Sequence, residues 1–248
     1  MWYTLFMRVE PYSVGSVVHV MKRGARDMEI VRDESDRWRF ARSLYILNDE
    51  YQDPHRDNRN HLGKSDLPKS KSLFFRPETW PEQKPLVAIL GWALMLNHTH
   101  LLLQEITKGG VSKFMQRLCG SITLSFNEKY DGKGSIFQGA FKSRTVDTNE
   151  YLQYVHAYIV VKNTFENYPG GLETALVNFE HAWEWVGKKY TFSSFSTASQ
   201  GFESPIINIQ AFHNLGLARK DFKQFAKNML ETHISGRDDL NGLILEDW

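Results

Sequence analysis

LVAILGWALMLNHTHLLLQE, residues 86–105, reads as two strands and the turn between them. The ten residues from Leu86 to Met95 are apolar almost without interruption, the pattern of a strand buried on both faces. Leu96-Asn97 marks a short break, and His98 to Glu105 reads as the next strand. The apolar run stops at Leu96, too short to cross a bilayer.

The flanking sequence supplies the rest of a domain. Tyr12 to Lys22 is rich in β-branched residues and reads as a first strand, closed by Arg23-Gly24. Glu34 to Leu47 follows the charged turn RDESD and carries Trp38, Ala41, Leu44 and Ile46 at helical spacing. Residues 51–85 are polar, with prolines and basic residues (Arg56, Arg59, Lys64, Lys69, Lys71), and read as a long loop or insertion. Val111 to Tyr130 has helical periodicity and ends at the turn signal DGKG. Ile136 to Val146 reads as a strand. Asp147 or Thr148 can cap a helix that runs to about Phe165. Beyond Pro169 the chain turns aromatic and irregular, with Trp183, Trp185, Tyr190, Phe192 and Phe195. Ser199 to Pro205 is its most linker-like piece, and Asp221 to Thr232 reads as a last helix. The order β, α, β, β, α, β, α predicts an α+β domain with helices against a mostly antiparallel sheet. Residues 1–168 read as this domain and 169–248 as a C-terminal extension packed on it.

Composition excludes little but sets the frame. The 248 residues are 42% hydrophobic and 24% charged, which fits a globular chain rather than a disordered one. With 30 Lys and Arg against 29 Asp and Glu, there is no global attraction to a polyanion, so any nucleic-acid affinity needs a local basic surface. The single cysteine, Cys119, excludes an intramolecular disulfide. The opening residues MWYTLFMRVEP lack the features of a secretory leader, so a cytoplasmic protein is expected.

Two features carry chemistry. Side chains alternate along a strand, so His98 and His100 point to one face, where both can ligate one divalent ion. With nine histidines in the chain, the bare motif taken alone reads as two ordinary residues sooner than as a metal site. Tyr158 lies in the segment 151–161. A tyrosine can attack a phosphodiester, and its phenolate leaves readily, so the linkage keeps the bond energy for rejoining. Tyr151, Tyr154 and Tyr158 also fit a packing stripe on a helix.

Four blocks in order turn these features into a family resemblance. LMLNHTHLLLQ resembles the M-P-N-H-x-H-L-L-L segment of single-tyrosine HUH transposases. GSIFQGAFKSRTV resembles their G-x-x-F-Q-x-R-F-K-S strand, and EYLQYVHAYIVVKN their nucleophile helix. VVHVMKRGARDMEIVRDESDRWRF resembles their opening strand and first helix. The blocks cover about residues 12 to 165 and are most similar to the REP-associated tyrosine transposases. The resemblance implies a ferredoxin-like or RRM-like antiparallel sheet with helices on one side. It implies Mg²⁺ or Mn²⁺ on His98 and His100, attack by Tyr158, and single-stranded DNA with a hairpin or inverted repeat as partner. It also implies a monomer.

One position departs from that pattern. The family places an Asn or Gln four residues after the tyrosine; here that residue is Lys162, which cannot ligate while protonated. Asn163 follows, but on a regular helix it points about 140° away from Tyr158. Three arrangements are open. A π-bulge brings Asn163 round as third ligand, or two imidazoles hold the ion with water and phosphate, or Lys162 contacts phosphate itself. Expected DNA contacts are Lys22, Arg23, Gln138, Lys142, Arg144 and Lys162, while His19 is expected to pack in the sheet. The competing function is a hairpin-binding protein without catalysis. An RNA-binding module of the RRM type ranks below both because its aromatic signature is missing.

Overall fold

The computed structural model describes residues 12–52, 74–236 and 245. The basic loop residues Arg56, Arg59, Lys64, Lys69 and Lys71 lie outside the described residues. Four strands form one antiparallel sheet: β1 (Val17–Arg23), β2 (Val87–Leu94), β3 (His98–Glu105) and β4 (Lys142–Val146), in the order β2-β3-β1-β4. The 86–105 stretch makes the two expected strands, which pair as an antiparallel hairpin with Ala93 opposite His100 and Leu94 opposite Thr99. Strand β1 lies in the middle, pairing with β3 on one side and β4 on the other.

One face of the sheet is covered by α1 (Glu34–Ile46) and α2 (Gly110–Tyr130). Asp33 starts α1 with a capping box that accepts from the Asp36 backbone N–H, satisfying an otherwise orphan donor. Phe40 of α1 packs on Trp92 of β2. Glu105, at the end of β3, accepts from the backbone N–H groups of Gly109 and Val111 and so fixes where α2 begins.

The other face takes the tyrosine-bearing segment. It consists of α3 (Asn149–Ala157), a π turn (Tyr158–Lys162) and α4 (Asn163–Phe165). Thr148 caps α3, accepting from the Tyr151 N–H. Gly91 of β2 lets this segment approach closely: a Cβ there would sit 3.3 Å from His156 and 3.5 Å from Val160. The α+β antiparallel sheet is therefore as expected, and α1 and α2 share one side. The tyrosine segment and much of the C-terminal extension occupy the opposite side.

The extension is more regular than its sequence suggests. It forms α5 (Gly171–Val177), α6 (Phe179–Lys189), α7 (Phe195–Gln200), α8 (Ile209–Asn214) and α9 (Phe222–Ile234). Trp183 and Trp185, read as irregular, lie on α6 and pack against Phe195 and Tyr168. Between these helices the chain returns to the edge of β2. The Leu94 N–H donates to Phe192, the Ser194 N–H to Trp92 and the Asn208 N–H to Ile89. These bonds occupy backbone groups that an edge strand would otherwise expose.

The strand expected over Ile136–Val146 is shorter, because only Lys142–Val146 joins the sheet. Gly139 sits at φ 45°, and the carbonyls of residues 138 and 139 turn to the Lys22 ammonium instead of a strand ladder. No helix among the described residues is long and apolar enough to cross a membrane.

Candidate active site

The site is built on the sheet face that carries the odd-numbered positions of β1 and the even-numbered positions of β3 and β4. His98 and His100 stand side by side there, with ring centroids 5.1 Å apart and planes at 85°. Tyr158 lies on the segment above, its ring 5.8 Å from that of His100. The Tyr158 ring therefore meets the His100 imidazole, itself beside His98, within one chain.

Each imidazole is held through its Nδ1. His98 Nδ1 is 2.7 Å from Asn97 Oδ1, and His100 Nδ1 is 2.9 Å from His19 Nε2. His19 thus does more than fill the sheet. His100 is fully buried. That burial, and after it the neighbouring His19, His98, Lys162 and Arg23, hold its pKa well below the ordinary imidazole value. It is neutral at physiological pH, the state in which a histidine ligates a cation.

The register after Tyr158 is that of the π turn. The Asn163 N–H donates to the Tyr158 carbonyl, five residues back rather than four. The one extra residue places position 163 a hydrogen-bonded turn beyond Tyr158 instead of far round the helix. The Asn163 side chain is wholly buried, and neither its oxygen nor its nitrogen has a hydrogen-bond partner among the described residues. A buried amide in that condition costs free energy unless something else satisfies it. Two imidazoles and one amide oxygen make a donor set suited to a divalent ion. Among the described residues no group of three or more His, Cys, Asp or Glu offers an alternative.

Lys162 is also drawn in. It is 4% exposed, its Nζ lies 5.1 Å from the centre of the Tyr158 ring, and it pairs with Glu166 at 3.1 Å. Tyr154 and His233 complete the surroundings of Tyr158, at 6.5 and 6.1 Å between ring centroids. His233 arrives from α9 in the extension, and no spacing in the sequence ties it to the tyrosine.

The expected DNA contacts divide by strand face. Arg23 lies opposite His98 and is half-buried, paired with Asp27 at 3.0 Å. Lys142 and Arg144 of β4 lie opposite Met21 and His19 on the same face. Lys142 has its pKa lowered by burial and then by Arg23, so these cations crowd together. Arg144 lies over the Tyr151 ring. Gln138 is exposed on a strap, residues 136–141, that runs beside β1 into β4. Lys22 does not join them. It points to the opposite face, 5% exposed, and donates to the carbonyls of Gln138, at 3.0 Å, and Gly139. It ties the strap to β1, which corrects its reading as a DNA contact.

Comparison with known proteins finds a match to one family model. The model of the family described as "Transposase IS200 like" matches residues 82–162, a span that includes His98, His100 and Tyr158 and ends one residue before Asn163. No curated protein matches the chain. A solved structure described as "Structure of the REP associates tyrosine transposase bound to a REP hairpin" is similar over 80% of this chain and 88% of that one. Its identity is 12% and its TM-score 0.44.

Proposed function

We propose that this chain, whose residues 82–162 match the model of the IS200-like transposase family, cuts and rejoins single-stranded hairpin DNA through a covalent link to Tyr158. The contact between the Tyr158 ring and His100 carries the reading, because it joins nucleophile and ligand pair in one site. In the reaction the Tyr158 oxygen bonds to phosphorus and the bond to the 3′ oxygen breaks. The phenol gives up its proton and the leaving 3′ oxygen takes one up. One phosphoester forms as another is lost, so the product, a 5′-phosphotyrosine with a 3′ hydroxyl, can run the step backwards without ATP.

The residues present fit a Mg²⁺ or Mn²⁺ ion, which His98 and His100 would hold with the Asn163 amide oxygen as third ligand. Such an ion would supply Lewis acidity at the scissile phosphate. Arg23, Lys142 and Arg144 share that face and are suited to hold the phosphodiester backbone. Lys162, beside the Tyr158 ring, adds positive charge where the phenolate develops. Because the tyrosine meets the histidines of its own chain, one copy suffices, which favours a monomer.

The second reading, a hairpin binder without catalysis, is favoured by one observation: Tyr158 is 1% exposed. One experiment separates the two. Labelled hairpin oligonucleotides are incubated with the protein and Mg²⁺ or Mn²⁺ and run on a denaturing gel. Catalysis gives a covalent adduct that disappears in Tyr158→Phe and His98→Ala. Tight binding without any adduct, across several hairpins, would establish the binder.

A further inference from the structure

We infer that His19 is a positioning residue: it accepts a hydrogen bond from His100 Nδ1–H and thereby turns the lone pair of His100 Nε2 into the site. A neutral imidazole carries one N–H, and only the other nitrogen can bind a cation. The contact between His19 Nε2 and His100 Nδ1, at 2.9 Å, admits two arrangements. If His19 donates, His100 is protonated at Nε2 and cannot ligate through it. If His100 donates, its Nε2 is a ligand.

The neighbouring ring shows which arrangement fits. His98 Nδ1 lies 2.7 Å from the Asn97 amide oxygen, which only accepts. His98 therefore carries its proton at Nδ1 and presents Nε2. The same assignment at His100 gives two matched ligands, 5.1 Å apart between ring centres. Partners that fix ligand tautomers in this way raise affinity for the ion.

The placement of His19 suits a rigid acceptor. It is fully buried on the central strand β1, with Leu102 opposite it on β3 and Arg144 on β4. Its ring lies nearly parallel to that of His100, 5.2 Å away and tilted 29°. A carboxylate there would add charge, whereas a neutral imidazole accepts the bond and leaves the charge of the ion to the substrate.

This inference rests on the proposed metal site, but one of its readouts does not. Imidazole nitrogen shifts in the metal-free protein, read by long-range ¹H–¹⁵N correlation, report the His100 tautomer directly. Wild type is expected to be protonated at Nδ1. His19→Gln, whose amide oxygen can accept the same bond, keeps that tautomer, and His19→Leu moves the proton wholly or partly to Nε2. Mn²⁺ affinity, measured by calorimetry, should fall about 10- to 100-fold in His19→Leu and be largely retained in His19→Gln. Melting curves of both variants establish that each is folded before it is read. An Nε2-protonated His100 in wild type overturns the inference, as does a His19→Leu protein with the wild-type tautomer. If wild type takes up no Mn²⁺, the metal reading fails, and the tautomer measurement alone decides the role of His19.

Discussion

Asn163 and Lys162 show how much one position changes the chemistry. The buried amide has no partner for either polar atom among the described residues, while the adjacent ammonium pairs with the half-exposed Glu166. Replacing Asn163 with Leu should weaken Mn²⁺ binding by at least about tenfold, and Asn163→Asp should strengthen it, since a carboxylate adds charge to the same donor position. Calorimetric titration checks both, and a Leu variant with wild-type affinity would leave the ion with only two protein ligands. Lys22 and Arg144 make a second contrast. Lys22→Met removes the donor to two carbonyls and should cost about 2 kcal/mol of stability in denaturant titration, with hairpin binding unchanged. Arg144→Ala should leave stability nearly intact and reduce the salt slope of hairpin binding by about one.

At the scale of elements, the π turn and the pairing of β1 matter most. A π turn is an α-helix carrying one inserted residue. Deleting Lys162 should therefore return the segment to a regular helix and put Asn163 four residues after Tyr158, with the flanking packing preserved. The deletion variant is expected to fold and to retain Mn²⁺ affinity. Loss of binding in a protein with a native circular dichroism spectrum would show that the bulge itself shapes the site. Strand periodicity alone is enough to separate Lys22 from Arg23, because adjacent strand residues face opposite ways. The partner of His19 is not legible in that way. Finding it requires knowing that β1 lies between β3 and β4, a long-range pairing that no local pattern records.

Across the whole molecule, the extension and the buried histidines tie the site to stability. His156 is buried on the tyrosine segment itself, against Phe212 of α8, and burial pushes its pKa down to about 3. The unfolded chain takes up that proton near pH 6.5, so the stabilisation is complete above that value and is lost as pH falls toward 3. Between those limits this residue alone costs about 1.4 kcal/mol per pH unit. Denaturant midpoints at pH 7 and pH 5 should therefore fall less in His156→Leu than in wild type. An equal fall in both would assign the acid sensitivity elsewhere. Helix α9 buries Phe222, Ala226, Met229 and Leu230 and brings His233 to Tyr158. A chain ending at residue 220 should melt at lower temperature than the full chain, and its Tyr158 should become accessible to iodination.

Local sequence determined the two strands of the β2–β3 hairpin, the helices flanking it, and the three side chains of the proposed chemistry, His98, His100 and Tyr158. Period and motif are properties of neighbouring residues, and they survive without knowledge of the fold. It also left open whether Asn163 could reach the tyrosine face, because a π turn and a regular helix share the same pattern of residues. That register, the bond between His100 and His19, the inward turn of Lys22 and the arrival of His233 belong to the folded chain alone. Each depends on contacts between segments far apart in sequence, where packing and hydrogen bonding set the geometry and spacing does not.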